Sequence, residues 1–130
     1  FESLGDHYGQ AVADLNGDGF LDVITGAHGE RLELYLNRCT TASWVGLELV
    51  GPPGNSWALG ALVELELPDG RVLLREVQGP RAMGQGPPRV HFGLGDLEGS
   101  VEVHVRWPQD GLIETHLLEI GHHHRVVRSR

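Results

Sequence analysis

Val12-Ala13-Asp14-Leu15-Asn16-Gly17-Asp18-Gly19-Phe20-Leu21-Asp22-Val23-Ile24-Thr25-Gly26 is the stretch on which the reading of this chain turns. Oxygen-bearing side chains fall on every second position from Asp14 to Asp18, and a further one follows at Asp22. When such a segment curls, these oxygens face a common centre, and Gly19 permits the sharp turn that curling needs. Ca²⁺ is a hard cation that takes six to eight oxygens, whereas Mg²⁺ retains its water and demands a tighter octahedron. The expected ligands are the side chains of Asp14, Asn16, Asp18 and Asp22 and the backbone carbonyl of Phe20, completed by water. The competing reading is an acidic turn whose Asp and Asn side chains bond their own backbone. Three carboxylates within nine residues repel one another, and that repulsion favours a cation.

An EF-hand loop begins in the same way but requires Glu at its twelfth position, which here is Thr25. It also requires flanking helices, whereas Val23-Ile24 is β-branched and opens a strand. The loop therefore joins two strands. Outward from it, no stretch sustains helical periodicity, and short alternating runs recur between turn signals, the pattern of an all-β chain. Gln10–Ala13, Leu21–Thr25 and Leu32–Leu36 are the three runs of the first third. The polar Asn37–Ser43 segment follows as a linker.

About seven strands are expected beyond it. Trp44–Val50 closes at Gly51-Pro52-Pro53-Gly54. Ala61, Val63, Leu65 and Leu67 alternate with Leu62, Glu64 and Glu66, and Asp69-Gly70 turns the chain into Arg71–Val77. Arg89–Phe92 is short; Val101, Val103 and Val105 alternate with Glu102, His104 and Arg106. Asp110-Gly111 leads into Leu112–Ile120, and His124–Val127 is the last. The expected organisation is a calcium-loop β-hairpin unit over residues 1–38, a linker over 39–43, and a small β-sandwich over 44–130 on which the hairpin packs.

The loop with its flanks resembles the FG-GAP/VCBS repeat, the calcium-bearing blade unit of integrin-type β-propellers, over about residues 9–37. The resemblance implies calcium bound by Asp14, Asn16, Asp18 and Asp22, with Phe20 lending its carbonyl. A propeller needs several blades, and this chain holds one at most. From Trp44 onward, Trp44-Val45-Gly46-Leu47, Gly60-Ala61, Arg75-Glu76-Val77, His91-Phe92-Gly93-Leu94-Gly95 and Val105-Arg106-Trp107-Pro108 resemble the ASPIC/UnbV domain that follows FG-GAP repeats. That second resemblance implies an architecture and an extracellular setting rather than a reaction. Gly93 and Gly95 are read as a turn with positive φ, Trp44 and Trp107 as core, and Trp57 as an exposed contact.

Composition narrows the function further. The 130 residues carry 18 acidic and 10 basic side chains, a formal charge of −8, which disfavours unaided binding to nucleic acid. Every basic residue is Arg, so lysine chemistry is excluded. Residues 1–38 hold seven acids against two arginines, so most of the excess charge sits with the loop. No apolar run reaches the ~20 residues of a membrane helix. Cys39 is the single cysteine and permits no internal disulfide; a small hydrophobe near the linker is its plainest role. The chain opens at Phe1 with no basic segment followed by an apolar one, which reads as a mature product or a fragment whose leader has been removed.

Eight histidines invite comparison with zinc hydrolases, but no HExxH occurs, and His122, His123 and His124 alternate faces in a strand. His91 and His104 fall in strand patterns, and Glu64 and Glu66 on a solvated sheet face. No catalytic residue is expected. The leading expectation is a secreted, non-enzymatic, calcium-binding interaction or structural module with a protein or glycan partner. Two rivals stand beside it: a subunit of an extracellular fibre that self-associates through strand edges, and an accessory protein or enzyme of a biosynthetic cluster.

Overall fold

A computed structural model describes residues 7–27, 29, 31–38, 41–79 and 86–129, and within it the chain is all-β. Ten strands are described: β1 (His7–Ala13), β2 (Asp22–Ala27), β3 (Leu32–Tyr35), β4 (Ser43–Val50), β5 (Leu62–Glu66), β6 (Val72–Glu76), β7 (Arg89–Gly95), β8 (Ser100–Arg106), β9 (Ile113–Glu119) and β10 (His123–Val127). Three precede the linker region and seven follow it, in agreement with the alternation. By compactness the chain divides into one unit of residues 1–40 with 80–87 and a second of 41–79 with 88–130. Cys39 lies outside the described residues.

The first unit is an antiparallel meander in the order β1-β2-β3. Ala13 pairs with Asp22 at the mouth of the acidic loop, and Val23 pairs with Tyr35 across the next boundary. Leu32 and Leu34, which alternation places on one face, remain exposed at 73% and 54%.

The second unit is a sandwich. One sheet has the order β10-β4-β7 and the other β6-β5-β8-β9. All pairings are antiparallel except β10 with β4, which is parallel. Alternation dictates which side chains face inward: Val45, Leu47 and Leu49 from β4, Val90, Phe92 and Leu94 from β7, Val63 and Leu65 from β5, and Val101, Val103 and Val105 from β8. These join in one buried cluster with Trp107, the largest fully buried side chain. The Arg75 guanidinium lies over the Phe92 ring at 5.5 Å, a cation–π contact that lets an inward-facing arginine sit at the sandwich margin.

Two expectations are corrected. Gly93-Leu94-Gly95 is not a turn: β7 runs on through Gly95, because Phe92 and Leu94 both supply inward side chains that keep the segment in the sheet. Only Gly95 has a positive φ, 64°. Trp44 is not in the core either. It is half-buried on the outer face of its sheet, stacked on His91 at 5.7 Å and against His123 at 4.7 Å. Both histidines lie opposite Gly46, whose missing side chain leaves room for the His123 ring. Trp57 is 55% exposed, as expected for a loop contact.

Candidate functional site

The acidic loop spans the eight residues between β1 and β2 and is shaped by its own side chains. Gly17 and Gly19 adopt φ of 79° and 88°, conformations that cost a residue with a Cβ. Asp14 Oδ1 accepts the Gly17 N–H at 2.7 Å and Oδ2 accepts the Gly19 N–H at 2.9 Å, so one carboxylate gathers both glycine amides. Asn16 Oδ1 accepts the Asp18 N–H at 3.0 Å, and its Nδ2 donates to Asp18 Oδ2 at 2.8 Å. Asp18 Oδ1 in turn accepts the Phe20 N–H at 2.9 Å. Asp14 is half-buried, and Asn16 and Asp18 are exposed.

Asp22 differs from the others. It is fully buried, and no other charged residue among those described is buried. Its Oδ2 accepts the Leu15 N–H at 2.9 Å and its Oδ1 accepts the Asn37 N–H at 2.8 Å. The carboxylate therefore ties the start of the loop to the segment just after β3, fifteen residues away. The spacing of acids marks Asp22 as a ligand and does not by itself indicate this strap. The available signal was an acid at the first position of a β-branched strand, where an apolar residue is the usual occupant.

The five predicted residues thus occupy the loop and the first position of β2, and the side-chain oxygens among them accept backbone amides, within the loop in the manner of Asx turns and, from Asp22, at Asn37 as well. Among the described residues, no group of three or more His, Cys, Asp or Glu converges as a metal-binding cluster. The donor chemistry nonetheless suits a hard cation. Asp14, Asn16, Asp18 and Asp22 offer only oxygen ligands, and an oxygen that accepts one amide hydrogen keeps a second lone pair. The exposure of Asn16 and Asp18 leaves that side open to solvent.

The histidines serve elsewhere. His122 Nδ1 lies 3.1 Å from the Ile120 carbonyl and His124 Nε2 lies 2.8 Å from the Glu119 carbonyl, while His123 covers Gly46 on the opposite face. His104 Nδ1 lies 3.0 Å from Thr115 Oγ1, and its Nε2 is 3.4 Å from Glu102. These contacts brace strands and turns.

Comparison with known families separates the same two parts. An FG-GAP repeat model matches residues 11–38, covering the end of β1, the loop, β2 and β3. A model described as ASPIC and UnbV matches residues 51–130, more than half of the chain. The chain belongs to the ASPIC and UnbV family. No curated protein matches it. In this ASPIC/UnbV protein the matched region takes in β5 to β10 and with them most of the sandwich core, and the FG-GAP match takes in every residue of the candidate loop.

Proposed function

We propose that this ASPIC/UnbV protein is a secreted, non-enzymatic calcium-binding module that presents a β surface to a protein or glycan partner. The observation that carries the proposal is the Asp14–Asp22 loop: hard oxygen donors closing the β1–β2 mouth within an FG-GAP match. Asp14, Asn16, Asp18 and Asp22, with the Phe20 carbonyl, would hold the ion. Bound Ca²⁺ supplies charge neutralisation and cross-links the loop; it takes part in no reaction. Extracellular calcium modules work at Kd of about 10⁻⁴–10⁻³ M, a range suited to a loop with two of its side chains in solvent.

A binding role, rather than catalysis, is supported by what the titratable side chains do. Glu64 and Glu66 lie on the outward face of their sheet, and Glu114 is occupied by the Trp107 indole and the Ser129 amide. The exposed Leu32 and Leu34 of β3 offer an apolar strip for a partner.

Isothermal titration of chelator-treated protein with Ca²⁺, paired with thermal melting in calcium and in chelator, tests the proposal. Saturable heat and a higher melting temperature in calcium are expected. Absence of both at millimolar calcium overturns it.

A further inference from the structure

Strand β9 ends its sheet, and among the described residues no strand pairs with its far side. The direction of its backbone groups follows from bonds beyond the strand ends. The Trp107 N–H reaches the Leu112 carbonyl at 2.8 Å and the Ile120 N–H reaches the Gly99 carbonyl at 3.0 Å. Even-numbered residues along β9 therefore turn their backbone toward β8. Ile113, Thr115 and Leu117 turn theirs toward the open edge, and all three are exposed. Leu117, at 75%, is the most exposed large hydrophobic side chain among those described. Such an edge, without Pro, Lys or a bulge, is a template for pairing.

We propose that this edge binds a second copy of the chain, β9 against β9 in antiparallel register about a two-fold axis at Thr115. In that register Thr115 faces Thr115, and Ile113 faces Leu117 of the second copy. These three pairs are all built from outward-turned residues, so each exchanges two backbone hydrogen bonds. Ile113 and Leu117, exposed in the monomer, cover each other on the outer face. On the other face Glu114 stands opposite His116 of the second copy, and the reverse. The two side chains are of complementary chemistry, and beside its bonds from Trp107 and Ser129 each Glu114 oxygen keeps a second lone pair.

Neighbouring registers lack this complementarity. A centre at Glu114 sets two carboxylates against each other. A centre at His116 sets imidazole against imidazole and asks Glu119 to pair, although its carbonyl already meets His124 Nε2. Because the symmetry is two-fold and isologous, pairing closes at a dimer instead of propagating into a fibre. Each copy carries −8, so added salt strengthens the association by screening their repulsion.

Sedimentation velocity of the chain from micromolar to millimolar concentration, at low and at moderate salt, reads the mass. A rise from monomer to dimer that stops there is expected, stronger at moderate salt, and Leu117→Glu abolishes it without lowering the melting temperature. Register is read separately in a Cys39→Ser background with a short bis-maleimide. Thr115→Cys cross-links rapidly, whereas Leu117→Cys does not, since its two copies would stand about 13 Å apart along the strands. A monomer throughout, growth beyond the dimer, or equal cross-linking of the two cysteine variants overturns the proposal. Calcium binding is not involved, so the fate of the acidic loop leaves this result unaffected.

Discussion

The indole N–H of Trp107 donates to the Glu114 carboxylate at 2.6 Å, joining the largest buried side chain of the sandwich to a half-buried acid at the start of β9. The other Glu114 oxygen accepts the Ser129 N–H at 3.0 Å, and Arg128 pairs with Asp110 in the turn between β8 and β9. One carboxylate thus links the core, an edge strand and the last described residues of the chain.

Stability at acid pH follows from this link. Burial pushes the Glu114 carboxyl upward, but the hydrogen bonds from Ser129 and Trp107 and the nearby His116 outweigh it, so the group sits below its ordinary value of 4.5. A depressed folded-state value means the stabilising effect is complete above the unfolded value and is lost as pH falls through the folded one. Glu114→Gln is expected to cost about 1.5–3 kcal/mol at neutral pH. It should also flatten the decline in stability below pH 4.5, the ordinary value quoted above. Urea unfolding at several pH values measures both effects.

Asp22 and Asp18 separate a structural from a metal-dependent contribution. Asp22→Ala strands the Leu15 and Asn37 amides, each an unmet group that costs about 1–3 kcal/mol. The variant should melt lower in chelator as well as in calcium. Asp18→Asn keeps an oxygen for the Phe20 amide and gives up the exposed bond from Asn16 Nδ2, so it should lie within about 1 kcal/mol of the parent in chelator and lose most of the calcium increment. Differential scanning calorimetry in the two buffers distinguishes them.

Two glycines make opposite predictions. A Cβ on Gly51 would stand 2.2 Å from the Asn55 carbonyl oxygen, a backbone atom that cannot step aside without opening the Gly51–Ser56 turn bond. Gly51→Ala should cost about 2 kcal/mol or more. Gly93 lies in β7 without a positive φ, and a Cβ there would meet nothing within 4 Å. Gly93→Ala should stabilise by about 0.4–1 kcal/mol by restricting the unfolded chain. Chemical denaturation of both variants gives the comparison.

Contrasting leucines check the core assignment. Leu65 is fully buried, and Leu65→Ala should cost about 2–5 kcal/mol. Leu74, on the outward face of β6, is 50% exposed, and Leu74→Ala should change stability by less than about 0.5 kcal/mol. Melting curves of the pair decide.

Strand positions and the inward faces of β4, β5 and β8 were legible because side chains alternate with period two and the buried face is apolar. Alternation is blind to neighbours, however. Nothing along Arg125-Val126-Val127 announces that this strand lies parallel to β4, since its partner is remote in sequence. Trp44 misleads for a related reason. Its size suggests the core, but its parity with Gly46 puts it outside, where two histidines half-cover it. In the loop, the residue types and their spacing were evident, whereas the Asp22–Asn37 bond depends on how β3 returns beside β2.

The parallel placement of β10 beside β4 has a consequence for biosynthesis. On the ribosome β4 emerges well before β10 and keeps one flank bare until that strand arrives, so the smaller sheet is completed only after every strand of the other sheet is out. A nascent form stalled before Arg125 would expose that flank to neighbouring polypeptides, which makes the interval before β10 docks the period of greatest aggregation risk.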